Sequence, residues 1–146
     1  MCDGYEFYRN IYELHILLNQ YLDIVGRKTC LMPYGQYYIL HCIAEQKNGP
    51  IDQRKLDDII CVRASTISQH LRVLCKKGYI THCSPPDNLR CKEVALTESG
   101  RKILRQMDDA FEEEIAHVFF DKEILQCNEM LKPLREKLIV EKEVKA

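Results

Sequence analysis

At 146 residues, with 46% hydrophobic and 29% charged side chains, the chain has the size and composition of one globular domain with its own core. Disorder is excluded, and no apolar run approaches the ~20 residues that a membrane-spanning helix needs. The net charge of −1 hides a segregation: residues 1–60 carry six Lys/Arg against eight Asp/Glu, residues 61–105 nine against three, and residues 106–146 six against eleven. A basic middle third in an otherwise acidic chain is the electrostatic footprint of a phosphate-contacting surface.

The N-terminal stretch Met1-Cys2-Asp3-Gly4-Tyr5-Glu6 lacks the basic and apolar regions of a secretory signal, so a cytoplasmic protein is expected. From Tyr8, the positions Ile11, Tyr12, Leu18, Leu22 and Val25 recur at helical steps, predicting a helix of about 20 residues that ends at Gly26. Pro33 and Asn48-Gly49-Pro50 bracket a second helix, Tyr34 to Lys47, with Tyr37, Tyr38, Leu40, Cys42 and Ile43 as its apolar content. Asp52 is placed to cap a short third helix holding Leu56, Ile59 and Ile60 and ending near Cys61. A fourth helix runs from Arg63 to Lys77, with Ala64, Ile67, Leu71 and Leu74 on one face and Gly78 as its stop. Residues 79–83 and 91–96 read as two strands around the turn cluster Ser84-Pro85-Pro86-Asp87-Asn88. Thr97 caps a fifth helix through Ile103, Leu104, Met107, Phe111, Ile115 and Val118; Asp121 opens a sixth, in which Pro133 predicts a kink or break.

Short helix, tight connection, second helix and hairpin follow one another in the order of a winged helix-turn-helix, whose second helix enters the DNA major groove. The expected fold is mainly α with a small β-hairpin wing. Residues 34–105 form the expected DNA-binding lobe, flanked by long helices in 1–33 and 106–146. With Ile67, Leu71 and Leu74 facing the core, Ser65, Gln69, Arg72 and Lys76 fall on the opposite face, flanked by Thr66 and Ser68. Gln pairs with adenine, Arg with guanine, and hydroxyls with base edges or phosphates. Arg90 at the hairpin turn suits a narrow, electronegative minor groove, and Lys92 a phosphate. No Gly-rich phosphate loop, GxSxG elbow or HExxH pair is present, so an enzyme is not expected, nor is a cofactor.

The run from Leu56 through Ser65-Thr66-Ile67-Ser68-Gln69-His70-Leu71-Arg72-Val73-Leu74, Lys77-Gly78-Tyr79-Ile80, Asn88-Leu89-Arg90 and Leu96-Thr97-Glu98-Ser99-Gly100-Arg101 resembles the MarR (multiple antibiotic resistance regulator) family. The resemblance departs at the wing, where the family's Asp-x-Arg is replaced by Asn88-Leu89-Arg90. It implies a homodimer joined through dimerisation helices in 1–33 and 106–146, acting as a repressor on a pseudo-palindromic operator and responding to a small aromatic ligand or an oxidant; the effector is expected to shift the spacing of the two recognition helices. The residues suited to such an effector are His15, Tyr34, Tyr37, Tyr38 and His41. Ser68 to Cys75 is also similar to the ArsR metal-responsive repressors, whose usual thiolate motifs are missing here. A winged-helix module for protein partners is the further alternative.

The eight cysteines are scattered singly, with no CxxC pair, and no metal site is expected; a zinc site from Cys30, His41 or Cys42 matches no ligand spacing. A symmetric register of the hairpin predicts Cys83 facing Cys91, where a reversible disulfide would reshape the wing and His82 or Arg90 would lower a thiol pKa.

Overall fold

The computed structural model describes residues 3–30, 32–46, 49–60 and 63–146, with only the backbone at Cys30. Four sequence expectations therefore lie outside the described residues: the helix end at Lys47, the turn at Asn48, the stop at Cys61 and the Cys30 thiol. Among the described residues the order is α1 (Gly4–Cys30), α2 (Tyr34–Ala44), β1 (Ile51–Asp52), α3 (Gln53–Ile60), α4 (Ala64–Lys76), β2 (Ile80–Cys83), β3 (Glu93–Leu96), α5 (Glu98–Val118) and α6 (Asp121–Lys145). This is the mainly helical, winged architecture expected.

The helices begin and end for identifiable reasons. Asp3 Oδ1 accepts from the backbone N–H groups of Tyr5 (3.0 Å) and Glu6 (3.1 Å), so α1 starts well before Tyr8. Nor does α1 stop at Gly26. A β-carbon there would lie 2.5 Å from the Met32 carbonyl oxygen, so glycine serves close packing of the following chain rather than termination. Pro33 offers α2 no side-chain cap; Asp23 of α1 supplies it, accepting from Tyr34 N–H at 2.9 Å while holding Arg27 with its other oxygen. Asp52 caps α3 as expected, accepting from Arg54 N–H at 2.8 Å.

At the end of α4, Gly78 takes φ +76°, Tyr79 N–H reaches the Leu74 carbonyl and Gly78 N–H the Cys75 carbonyl, the paired bonds of a Schellman stop. Thr97 then joins two helices. Its hydroxyl donates to the Gly78 carbonyl (2.6 Å) and accepts from Gly100 N–H (3.0 Å), while its own N–H meets the Tyr79 carbonyl (3.1 Å). Gly100 is required there because a β-carbon would collide with that same Tyr79 carbonyl.

The sheet is antiparallel in the order β1-β3-β2, with Ile51 opposite Val94, and Ile80, Thr81, His82 and Cys83 opposite Leu96, Ala95, Val94 and Glu93. Its buried residues Ile51, Ile80, Val94 and Leu96 join Ile39 and Leu40 of α2, Leu56 of α3, Ile67, Leu71 and Leu74 of α4, and Leu104 and Met107 of α5 among the buried apolar side chains.

The chain forms two compact units, the first ending at Phe111 and the second running from Glu112 to Ala146. In the second, α6 runs through Pro133 without a break, one of the two outcomes, kink or break, expected there. Proline removes only one backbone donor, and twelve helical residues on either side carry the helix across it. No described residue of α6 is buried. Among the described residues, no helix is long and apolar enough to cross a membrane.

Candidate nucleic-acid interface

Three residues fasten α4 to the lobe: Ile67, Leu71 and Leu74 have no exposed surface. Their spacing leaves Ser65, Thr66, Gln69, Arg72 and Lys76 exposed on the other side, with Ser68 half-buried at the margin. Ala64, expected in the core, is exposed instead, because it sits in the first turn of α4.

The hairpin closes through two consecutive turns, Asn88 N–H to the Pro85 carbonyl and Cys91 N–H to the Asn88 carbonyl, both 3.1 Å. Ser84 Oγ donates to the Leu89 carbonyl, and Asn88 Oδ1 accepts from Arg90 N–H, each at 3.3 Å. The asparagine thus holds the backbone of Arg90 and leaves its guanidinium exposed. Among the described residues, no carboxylate lies within ion-pairing distance of Arg72, Lys76, Arg90 or Lys92. Four cations without local partners, together with hydroxyl and amide groups on one helix face, can neutralise phosphates and bond to base edges.

The cysteine expectation is corrected by the register. Cys83 opposes Glu93, not Cys91, because the ladder begins two residues after Cys91. Cys83 is exposed, whereas Cys91 is buried at the foot of the wing and donates its S–H to Asp52 Oδ2 at 3.1 Å. That hydrogen bond, with burial and the carboxylate's charge, pushes the Cys91 thiol pKa up, the opposite of the expected activation. Asp52 is itself held well below the usual carboxylate range, chiefly by hydrogen bonds from the Arg54 guanidinium and backbone N–H, then by Cys91. A carboxylate with a depressed folded pKa stabilises the fold above its ordinary value and loses that contribution as pH falls. Asp52→Ala therefore lowers the melting temperature at neutral pH, and its difference from the parent protein shrinks below pH ~4. Paired thermal melts across pH 2.5–7 measure this; a gap independent of pH refutes it. Asp52, Arg54, Cys91 and Glu93 also line an open cleft of about 660 Å³ at the base of the wing.

Sequence reasoning missed Gln53, whose side chain bridges α4 and β2: its amide donates to Ser68 Oγ (3.1 Å) and its carbonyl meets His82 Nε2 (2.8 Å). The missing signal was β1. Its two residues are too few to show alternation, yet they bring Gln53 beside the hairpin.

Four of the five proposed effector residues meet in one aromatic cluster. Tyr34 stacks on Tyr38 and packs edge-on to Phe111, while the Tyr37 ring lies 4.5 Å from Phe111 and 5.7 Å from His41. Tyr37 donates its hydroxyl proton to Asp108 at 2.7 Å, and His41 stands 3.6 Å from the same carboxylate. Burial pushes the Tyr34 phenol pKa up. His15 is not in the cluster; it meets Asn19 one turn along α1. Cys42 is buried, and burial raises its thiol pKa. Among the described residues, no group of three or more His, Cys, Asp or Glu is placed to hold a metal.

The MarR family model matches residues 32–92. No curated protein matches the chain. Among solved structures, the fold is similar to a putative MarR-like transcription regulator from Bacillus cereus ATCC 10987, at 22% identity over 93% of this chain and 98% of that one, with a TM-score of 0.76. It is also similar to Sco3205 from Streptomyces coelicolor, a MarR family transcriptional regulator solved in complex with DNA, at 21% identity, 94% and 89% coverage and a TM-score of 0.74. A third likeness is to a mutant MarR from E. coli complexed with operator DNA, at 19% identity, 91% and 99% coverage and a TM-score of 0.69.

Proposed function

We propose that this chain, whose residues 32–92 match the MarR family model, is a transcription regulator of that type rather than an enzyme, and that it binds duplex DNA sequence-specifically as a homodimeric, cytoplasmic repressor. The observation that carries the reading is the α4 surface: Ser65, Thr66, Gln69, Arg72 and Lys76 stand exposed on a helix whose opposite side is sealed in the core, beside a wing bearing exposed Arg90 and Lys92. The DNA-bound state of Sco3205 and of the E. coli MarR mutant supports the same role for this chain. Residues 34–105 act as the reading lobe.

Dimerisation by the terminal segments, residues 1–33 and 106–146, draws support from their uncovered apolar side chains. On α1 these include Tyr8, Ile11 and Leu14, and on α6 Met130, Leu138 and Ile139. Two recognition helices held about one helical turn of DNA apart would read a pseudo-palindrome. A small aromatic effector fits the chemistry of Tyr34, Tyr37, Tyr38 and His41, where ring faces adjoin a hydroxyl and a carboxylate. Its binding would act by changing the separation of the two helices.

The test is selection of bound sequences from random duplex DNA, followed by affinity measurements on the selected operator at several salt concentrations. Lys76, Arg90 and Lys92 from two protomers give six phosphate-reaching cations, so log K should fall against log salt with a slope of up to about 5. No enrichment of any sequence, or a slope near zero, refutes the reading.

A further inference from the structure

Gln53 is hydrogen-bonded to three different elements. Its backbone N–H donates to the Lys92 carbonyl at the foot of the wing (2.8 Å), its side-chain carbonyl meets His82 Nε2 on β2 (2.8 Å), and its side-chain amide donates to Ser68 Oγ on α4 (3.1 Å). Gln53, Ser68 and His82 are all half-buried, so these bonds are partly shielded from water.

The direction of the chain of bonds follows from the Gln53 amide, whose Oε1 faces His82 Nε2 and whose NH₂ faces Ser68 Oγ. Burial, and secondarily the charge of Lys92, push the His82 pKa below its ordinary value, so the ring is neutral at neutral pH and carries one N–H. With that proton on Nε2, Gln53 turns its carbonyl to His82 and therefore its NH₂ to Ser68. One acceptor site of the Ser68 oxygen is then taken, on the side facing Gln53, and its own proton is free to be given elsewhere. Among the described residues, Ser68 makes no other side-chain hydrogen bond. Its neighbours on the exposed face, Ser65, Gln69 and Arg72, are the groups already assigned to the duplex.

We propose that Gln53 is a positioning residue that makes Ser68 a hydrogen-bond donor toward DNA. The hydroxyl would thereby select an acceptor, a phosphate oxygen or the N7, O6 or O4 edge of a base, over the exocyclic amine of adenine or cytosine. The inference rests on the reading that α4 faces duplex DNA. Through the Lys92 and His82 bonds, the same residue keeps this donor in fixed register with the wing.

Gln53→Glu is the discriminating variant. A carboxylate accepts from both His82 and Ser68, which keeps the elements tied but draws the Ser68 proton inward. Operator binding by Gln53→Glu and by Ser68→Ala should each weaken by roughly tenfold to a hundredfold, the order expected for one hydrogen bond lost in each protomer of the dimer. The double variant should lose less than the product of the two single losses, since without the Ser68 hydroxyl only the general repulsion of the added charge by the phosphates remains. Unchanged affinity in Gln53→Glu, or losses that multiply in the double variant, overturn the proposal. Nitrogen-15 NMR of His82 in the DNA-free protein checks the joint separately: a proton on Nε2 is expected, and one on Nδ1 overturns the proposal. A parent protein that binds no duplex while His82 carries its proton on Nε2 overturns the operator reading, and the donor role with it, and leaves the Gln53 joint standing.

Discussion

Removing both guanidinium groups, Arg72→Ala with Arg90→Ala, is expected to weaken operator binding by at least about a thousandfold. A bidentate Arg contact to a base contributes roughly 1–3 kcal/mol, and in a homodimer every substitution removes two contacts. Neither side chain is tied to a carboxylate in the protein among the described residues, so neither leaves an orphaned partner behind and the loss is one of DNA contacts alone. The single variants separate the roles. Arg72→Ala should relax base preference at one position of each half-site. Arg90→Ala should lower affinity nearly uniformly across sequences and reduce the salt slope by about 1 per protomer. Anisotropy titrations with the selected operator and a scrambled duplex, each at three salt concentrations, measure all of this. Affinity within a few-fold of the parent protein in the double variant would remove α4 and the wing from the interface. Because both residues are exposed, melting temperatures should barely move.

The second large effect is on stability. Leu71 has no exposed surface, and it lies one turn from both Ile67 and Leu74, which are equally sealed. Leu71→Ala removes three methyl or methylene groups from close packing and should cost about 2–5 kcal/mol. That is a large share of the roughly 5–15 kcal/mol by which a domain of this kind is stable. Urea denaturation should show a lower midpoint with an unchanged slope. Operator affinity should fall as well, since these three residues are what fix the polar face of α4 outward. A substitution on that exposed face, Thr66→Ala, should leave the unfolding free energy within about 0.5 kcal/mol of the parent protein. Equal midpoints for Leu71→Ala and Thr66→Ala would contradict the packing described.

How far the sequence could be read depended on how local each signal was. The apolar spacing of Ile67, Leu71 and Leu74, the caps at Asp52 and Thr97, and the stop at Gly78 are decided within a few residues of chain, and the structure has all of them. The hairpin was legible as two strands around a turn. Its register was not, because two linked turns consume the residues up to Cys91 before pairing starts. Gly26 misled for a related reason, and Pro133 left kink and break both open. Each has a local meaning as a breaker, but Gly26 answers to the Met32 carbonyl and Pro133 to the helical turns on both sides. The Asp23 cap on α2, the Asp52–Cys91 bond and the Gln53 bridge join residues 11, 39, 15 and 29 positions apart. No periodicity announces such pairs. Most of the exposed face of α4 could be listed from the helical wheel, but the internal hydrogen bond that turns Ser68 into a donor could not.

The Thr97 stitch makes the hairpin tip an appendage. With the end of α4 and the start of α5 already fastened to one another, residues 84–90 lie outside that closed circuit. Insertions or exchanges there should therefore leave the shape of the lobe unchanged.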